Sequence, residues 1–127
     1  MAENSIRTGK ISSVNYEDGT VRVYYSDTGN VTTEVPVLNF NGEYKMPKVD
    51  DMVLVTHLSN GSSVGIVCGT FWSEGNKPPE TGSNIYRKEL GESIGEAYIK
   101  YDSKTKTMTI KAEKIIFEAS DVSKIND

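Results

Sequence analysis

Among its 127 residues the chain has one cysteine, one histidine, one tryptophan and three phenylalanines. The lone Cys68 excludes an intrachain disulfide framework and any cysteine-cluster metal site. It sits in the apolar stretch VGIVCG, which predicts a buried, inert thiol. No apolar run approaches the ~20 residues that cross a bilayer as a helix. The opening stretch MAENSIRTGK lacks the apolar segment of a secretion signal, so the chain is expected to be made and folded in a cytoplasm. Basic charge is not in excess either: 14 Lys and Arg stand against 18 Asp and Glu, a net charge of -4. That disfavours nucleic-acid binding, which rests on neutralising phosphates with clustered cations.

The residues of catalysis are equally sparse. His57 has no second histidine to share a metal with and reads as a strand-end residue. Asp50 and Asp51 are adjacent, so in an extended chain their carboxylates point to opposite sides and do not converge on one atom. They read as a solvated turn. Neither a phosphate-binding loop nor a dinucleotide fingerprint is present, and no Ser or Cys stands beside a base. The sequence therefore predicts no enzyme, no cofactor and no metal.

What the chain does have is period-two patterning. GKISSVNY, TVRVYY, VTTEVPVL, DMVLVTHL and SSVGIVCGTF are short β-prone stretches separated by EDGT, DTGN, FNGEYKMPK and LSNG. Asp18-Gly19 and Asn60-Gly61 are the strongest hairpin signals, since both turn positions tolerate positive φ. Five short strands with no helical stretch between them predict an all-β fold beginning with a small closed or partly closed barrel over 1–76. An SH3-like barrel or a small sandwich fits the same pattern. Then SEGNKPPETGSN, with Pro78-Pro79, reads as a linker, expected to run irregular or extended over 77–96.

The last segment, 97–127, returns to alternation. Ile99 and Tyr101, then Met108, Ile110 and Ala112, then Ile115, Phe117 and Ala119 form one apolar face. Tyr101 to Ile110 is nine positions, Ile110 to Phe117 seven and Phe117 to Ile125 eight, a spacing like the rungs of a β-helix. An isolated ribbon is marginal in water, so this face needs a partner surface. Either the barrel covers it, or copies of the same tail wind together with their apolar faces inward. The linker composition favours self-association.

The stretch TGKISSVNYEDGTVRVYYSDTGNVTTEVPVLNFNGEYKMPKVDDMVLVTHLSNGSSVGIVCGTFWSEGNKPP resembles the baseplate assembly protein V (tail spike) family of contractile phage tails, over roughly residues 7–79. The order GKISSVN, TVRVYY, TTEVPVL, a proline-led turn into MVLV and a closing SSVGIVCGTFWSEGNKPP carries the resemblance. It implies an OB-type barrel followed by a short triple-stranded β-helix, here EAYIKYDSKTKTMTIKAEKIIFEA. It implies a homotrimer made in the bacterial cytoplasm, docked to baseplate hub and tail-tube proteins, with transient contact with a target envelope. Relatives serve phages, R-type bacteriocins and type VI secretion. The trimer core implied is Ile99, Tyr101, Met108, Ile110, Ala112, Ile115, Phe117 and Ala119.

Three departures shape the expectation. Asp50 stands where the family often has glycine, and it can still adopt a left-handed conformation at modest cost. The His-x-His pair that binds iron at the needle tip in many members is absent, so a separate tip protein of the proline-alanine-alanine-arginine repeat type is expected. There is no room for the inserted lysozyme-like domain of some phage spikes. The competing expectation is a monomeric OB-type module binding nucleic acid or a protein, with Arg22, Tyr24, Tyr25, Phe40, Tyr44, Lys45 and Lys48 as its best surface.

Overall fold

The computed structural model describes residues 6–58 and 65–125. Every regular element among them is a strand, and the strands form two separate antiparallel sheets. The chain divides into two units, 1–76 and 77–127. The Asn60-Gly61 turn lies outside the described residues.

In the first unit, β1 (Ile6–Asn15) pairs with both β2 (Thr20–Tyr25) and β5 (Met52–His57). Gly19, at φ 70, makes the β1–β2 turn that Asp18-Gly19 predicts. β2 also pairs with β3 (Asn30–Val31) and β4 (Val35–Pro36), and β5 pairs with β6 (Gly65–Thr70). Just past β4, Val37 forms a parallel bridge with Val67, and the Leu38 amide donates to the Val67 carbonyl at 2.9 Å. The pairing thus runs β1–β2–β4–β6–β5 and back to β1, leaving few open strand edges.

Alternation decides what fills this ring. Val21, Val23 and Tyr25 of β2 and Val53 and Val55 of β5 are buried, joined by Ile11, Val35 and Val67. Six of these eight are valine or isoleucine from the two long hairpins, branched side chains that suit a pleated surface. Gly9 is required on β1, because a Cβ there would stand 2.5 Å from Val23 Cγ1. Asp50 sits at φ 79, the left-handed conformation expected of it. Its amide donates to the Ile11 carbonyl, and the Ile11 amide donates to the Asp51 carbonyl, each at 2.9 Å.

Cys68 is a correction to the sequence reading. It is half-buried, because its neighbour Val67 takes the core-facing side of β6 and alternation puts Cys68 on the other. Leu54 pairs with Gly69 and Val55 with Val67, so Cys68 is also the extra residue of a bulge.

The second unit is a meander of β7 (Ile85–Glu89), β8 (Tyr98–Asp102) and β9 (Thr107–Lys111). β7 lies inside the segment read as linker. Its short alternation escapes notice because Gly91 and Gly95 follow closely, but those glycines serve the β7–β8 loop. Gly95 takes φ 85 and its amide donates to Glu89 Oε1 at 2.8 Å, while the Leu90 amide donates to the Ala97 carbonyl. Tyr101 and Met108 turn out to be cross-strand partners in a hairpin within one chain. Residues 112–125, expected to continue the strands, have no strand partner among the described residues.

Candidate assembly surface

Direct cross-strand partners share a face of an antiparallel sheet. Tyr86 opposes Tyr101, which opposes Met108; Lys88 opposes Ile99, which opposes Ile110. One side of β7–β8–β9 therefore carries Tyr86, Lys88, Ile99, Tyr101, Met108 and Ile110, and five of the six are apolar or aromatic. Most of this side is exposed: Tyr86 is 63% exposed, Met108 60% and Ile110 51%, with Ile99 half-buried among them. No described residue of the second unit is fully buried.

The other side is polar and already occupied. Arg87 is the centre of it, held by Glu80 at 3.0 Å and by Glu89, with its guanidinium 3.8 Å above the Tyr98 ring. Lys100 reaches the second carboxylate oxygen of Glu80 at 2.6 Å. The Lys100 ammonium, and after it Arg87, holds the Glu80 carboxyl below the usual range. Glu80 in turn raises Lys100, and Glu89 followed by Glu80 raises Arg87. Asn84 donates to Asp102 at 2.8 Å and, with the Lys104 amide, lowers that carboxyl too. Lys111 donates to the Gly95 carbonyl at 2.7 Å, pinning β9 to the β7–β8 loop.

The sheet is thus two-faced: one side is closed by ion pairs, the other is an open apolar surface. Four of the eight residues read from the sequence as an inward face, Ile99, Tyr101, Met108 and Ile110, stand together on the open side. Ala112, Ile115, Phe117 and Ala119 lie beyond β9, all exposed, Phe117 at 81%. Sequence reasoning missed Tyr86. The alternation of Ile85, Arg87 and Glu89 with Tyr86 and Lys88 is the signal that could have found it.

The residues weighed for chemistry are accounted for by packing. His57 ends β5, where its Nε2 meets the Tyr25 hydroxyl at 2.6 Å. Arg7 lies 3.8 Å over the Tyr25 ring and pairs with Asp27 at 2.6 Å, so the group ties one end of the barrel together. Burial pushes the Tyr25 phenol up, opposed by Arg7. Asp51 accepts from the Lys48 amide at 2.8 Å, a turn contact. No three His, Cys, Asp or Glu side chains come together among the described residues.

Tyr24 and Tyr25 point to opposite sides, 37% and 4% exposed. Tyr24 shares the outer face with Lys10 and Val31. Phe40 and Tyr44 project from the loop after β4, and the Tyr44 hydroxyl donates to the Tyr16 carbonyl at 2.9 Å. Arg22 stands two residues from Tyr24 on that same exposed side of β2. No family model matches the chain, and no curated protein is similar to it.

Proposed function

We propose that this protein is a non-enzymatic structural part of a contractile injection apparatus: the homotrimeric central spike of a baseplate. Its barrel docks to the hub, and its second unit forms the stem. The observation that carries the reading is the open apolar side of β7–β8–β9. A three-stranded sheet with no buried residue of its own has little to hold it together in water. Three copies turning that side inward bury it and leave the Glu80–Arg87–Lys100 side in solvent. Folding of the stem and assembly of the trimer are then one event.

The barrel supports the same reading. Its ring of pairings, with one parallel contact between the segment after β4 and β6, supports the Greek-key, OB-type barrel of this reading. Residues 112–125 extend the stem as a triple-stranded β-helix, with Ile115 and Phe117 inward, and a separate tip protein caps it. Such a stem has no free edge along its length and resists bending when driven against an envelope.

The function is tested on particles. A producing strain carrying an epitope on this chain should show label on the tail axis at the baseplate end, and deletion of the chain should abolish assembled baseplates. Label along the sheath, or normal baseplates without the chain, overturns the reading.

A further inference from the structure

We infer that the Asn41-Gly42 turn, in the loop after β4, is a site of self-modification, where the asparagine converts to aspartate and isoaspartate while the barrel stays folded. The inference is independent of how many copies assemble. Asparagine is thermolabile because the amide nitrogen of the next residue can attack its side-chain carbonyl. Two conditions favour the attack: an unshielded nitrogen and a carboxamide that nothing else holds. A glycine in the next position supplies the first, since it has no side chain to stand over its own nitrogen.

Of the six asparagines among the described residues, Asn41 alone meets both conditions. Asn15, Asn76 and Asn84 donate their carboxamides to Asp18, to the Phe71 carbonyl and to Asp102. Asn39 Oδ1 accepts from the Asn41 amide at 3.0 Å. Asn30 precedes Val31, whose branched side chain crowds the nitrogen that would attack. Asn41 is exposed, and its carboxamide has no hydrogen-bond partner among the described residues. A Cβ built on Gly42 would meet nothing within 4 Å, so the attacking nitrogen stands in open space.

The turn itself demands this labile pair. Asn41 sits at φ 62, which asparagine tolerates, and Gly42 at φ 109, which side chains rarely adopt. The Gly42 amide donates to the Asn39 carbonyl at 3.1 Å and shares that acceptor with the Glu43 amide at 2.6 Å. Releasing the longer bond frees the nitrogen while the shorter one keeps the turn closed. The Gly42 nitrogen gives its proton to hydroxide and bonds to Asn41 Cγ. The Cγ–Nδ2 bond breaks, and Nδ2 leaves as ammonia with a proton taken from water. The succinimide ring then takes up one water. Opening at Cγ gives aspartate, and opening at the main-chain carbonyl gives isoaspartate. Either product sets a new carboxylate beside Glu43, and isoaspartate also lengthens the backbone by one carbon between Phe40 and Tyr44.

The test follows the full chain over weeks at neutral and at mildly alkaline pH, folded and, in parallel, unfolded in guanidinium. Trypsin places Asn41 on the peptide between Arg22 and Lys45, apart from Asn60, and tandem mass spectrometry separates it from Asn30 and Asn39. A protein-isoaspartate methyltransferase labels the second product. The inference predicts that Asn41 in the folded chain converts within tenfold of its rate in guanidinium and at least tenfold faster than the other five described asparagines. Conversion should rise with pH and yield both products, and Asn41→Gln should remove the isoaspartate label from that peptide. A folded-state rate below a tenth of the guanidinium rate overturns the inference. So does conversion no faster than at the other five, or label that persists on the peptide in Asn41→Gln.

Discussion

Ile99 and Ile110 face each other across β8 and β9, on the largely exposed apolar side of the sheet. On the opposite side, their neighbour Lys100 is clasped to Glu80. This pair of relationships gives the sheet one apolar and one ion-paired face.

Replacing Ile110 by Asp should separate assembly from barrel folding. A buried aliphatic side chain contributes about 1.5–3 kcal/mol, so three copies forfeit roughly 5–9 kcal/mol per trimer, before the cost of burying a charge. The expected outcome in sedimentation is a monomer whose barrel still melts cooperatively in urea. A trimer of unchanged affinity contradicts the assignment of the inner face.

Acid should loosen the second unit before the barrel. The Glu80 and Asp102 carboxyls are held below their ordinary values, so the stability they contribute is present above those values and lost as the pH falls through the lowered ones. The raised pKa values of Lys100 and Arg87 act at the alkaline end, beyond the ordinary lysine range, and play no part in the acid transition. Following the stem by circular dichroism from pH 7 to 3 should show an early loss, and Glu80→Gln should weaken the stem at neutral pH and flatten its acid dependence. Identical acid profiles in the two proteins would remove the clasp from the account.

The barrel core offers a sharper steric test. Gly9→Ala places a methyl 2.5 Å from Val23 Cγ1 and 2.9 Å from the Tyr25 ring. Overpacking of this kind costs about 1–3 kcal/mol, read as a lower urea midpoint. Tyr25→Phe, which removes only the hydroxyl contacting His57, should cost about 1 kcal/mol.

How much of this was legible in the sequence depends on the range of the cause. The core of β2 and β5 follows from alternation alone, because Val21, Val23, Val53 and Val55 recur every second residue. The left-handed Asp50 and the Gly19 turn were readable as local backbone chemistry. The outward side of Cys68 was not, since VGIVCG is apolar in both alternating sets and only the fold decides that Val67 faces the core. β7 hid for a related reason: its strand is short, and its order comes from ion pairs to Glu80 and Glu89 and from pairing with β8. Ile99, Tyr101, Met108 and Ile110 were readable as one face, but Tyr86 joins them only through cross-strand registry.

The central claim is that the open side of β7–β8–β9 is buried between three copies. Sedimentation equilibrium of the full chain beside residues 1–76 tests it most directly. The account predicts a mass three times the 14.0 kDa chain for the full protein and a single folded chain for the barrel alone. A full-length protein that stays monomeric at concentrations where its second sheet is formed contradicts it.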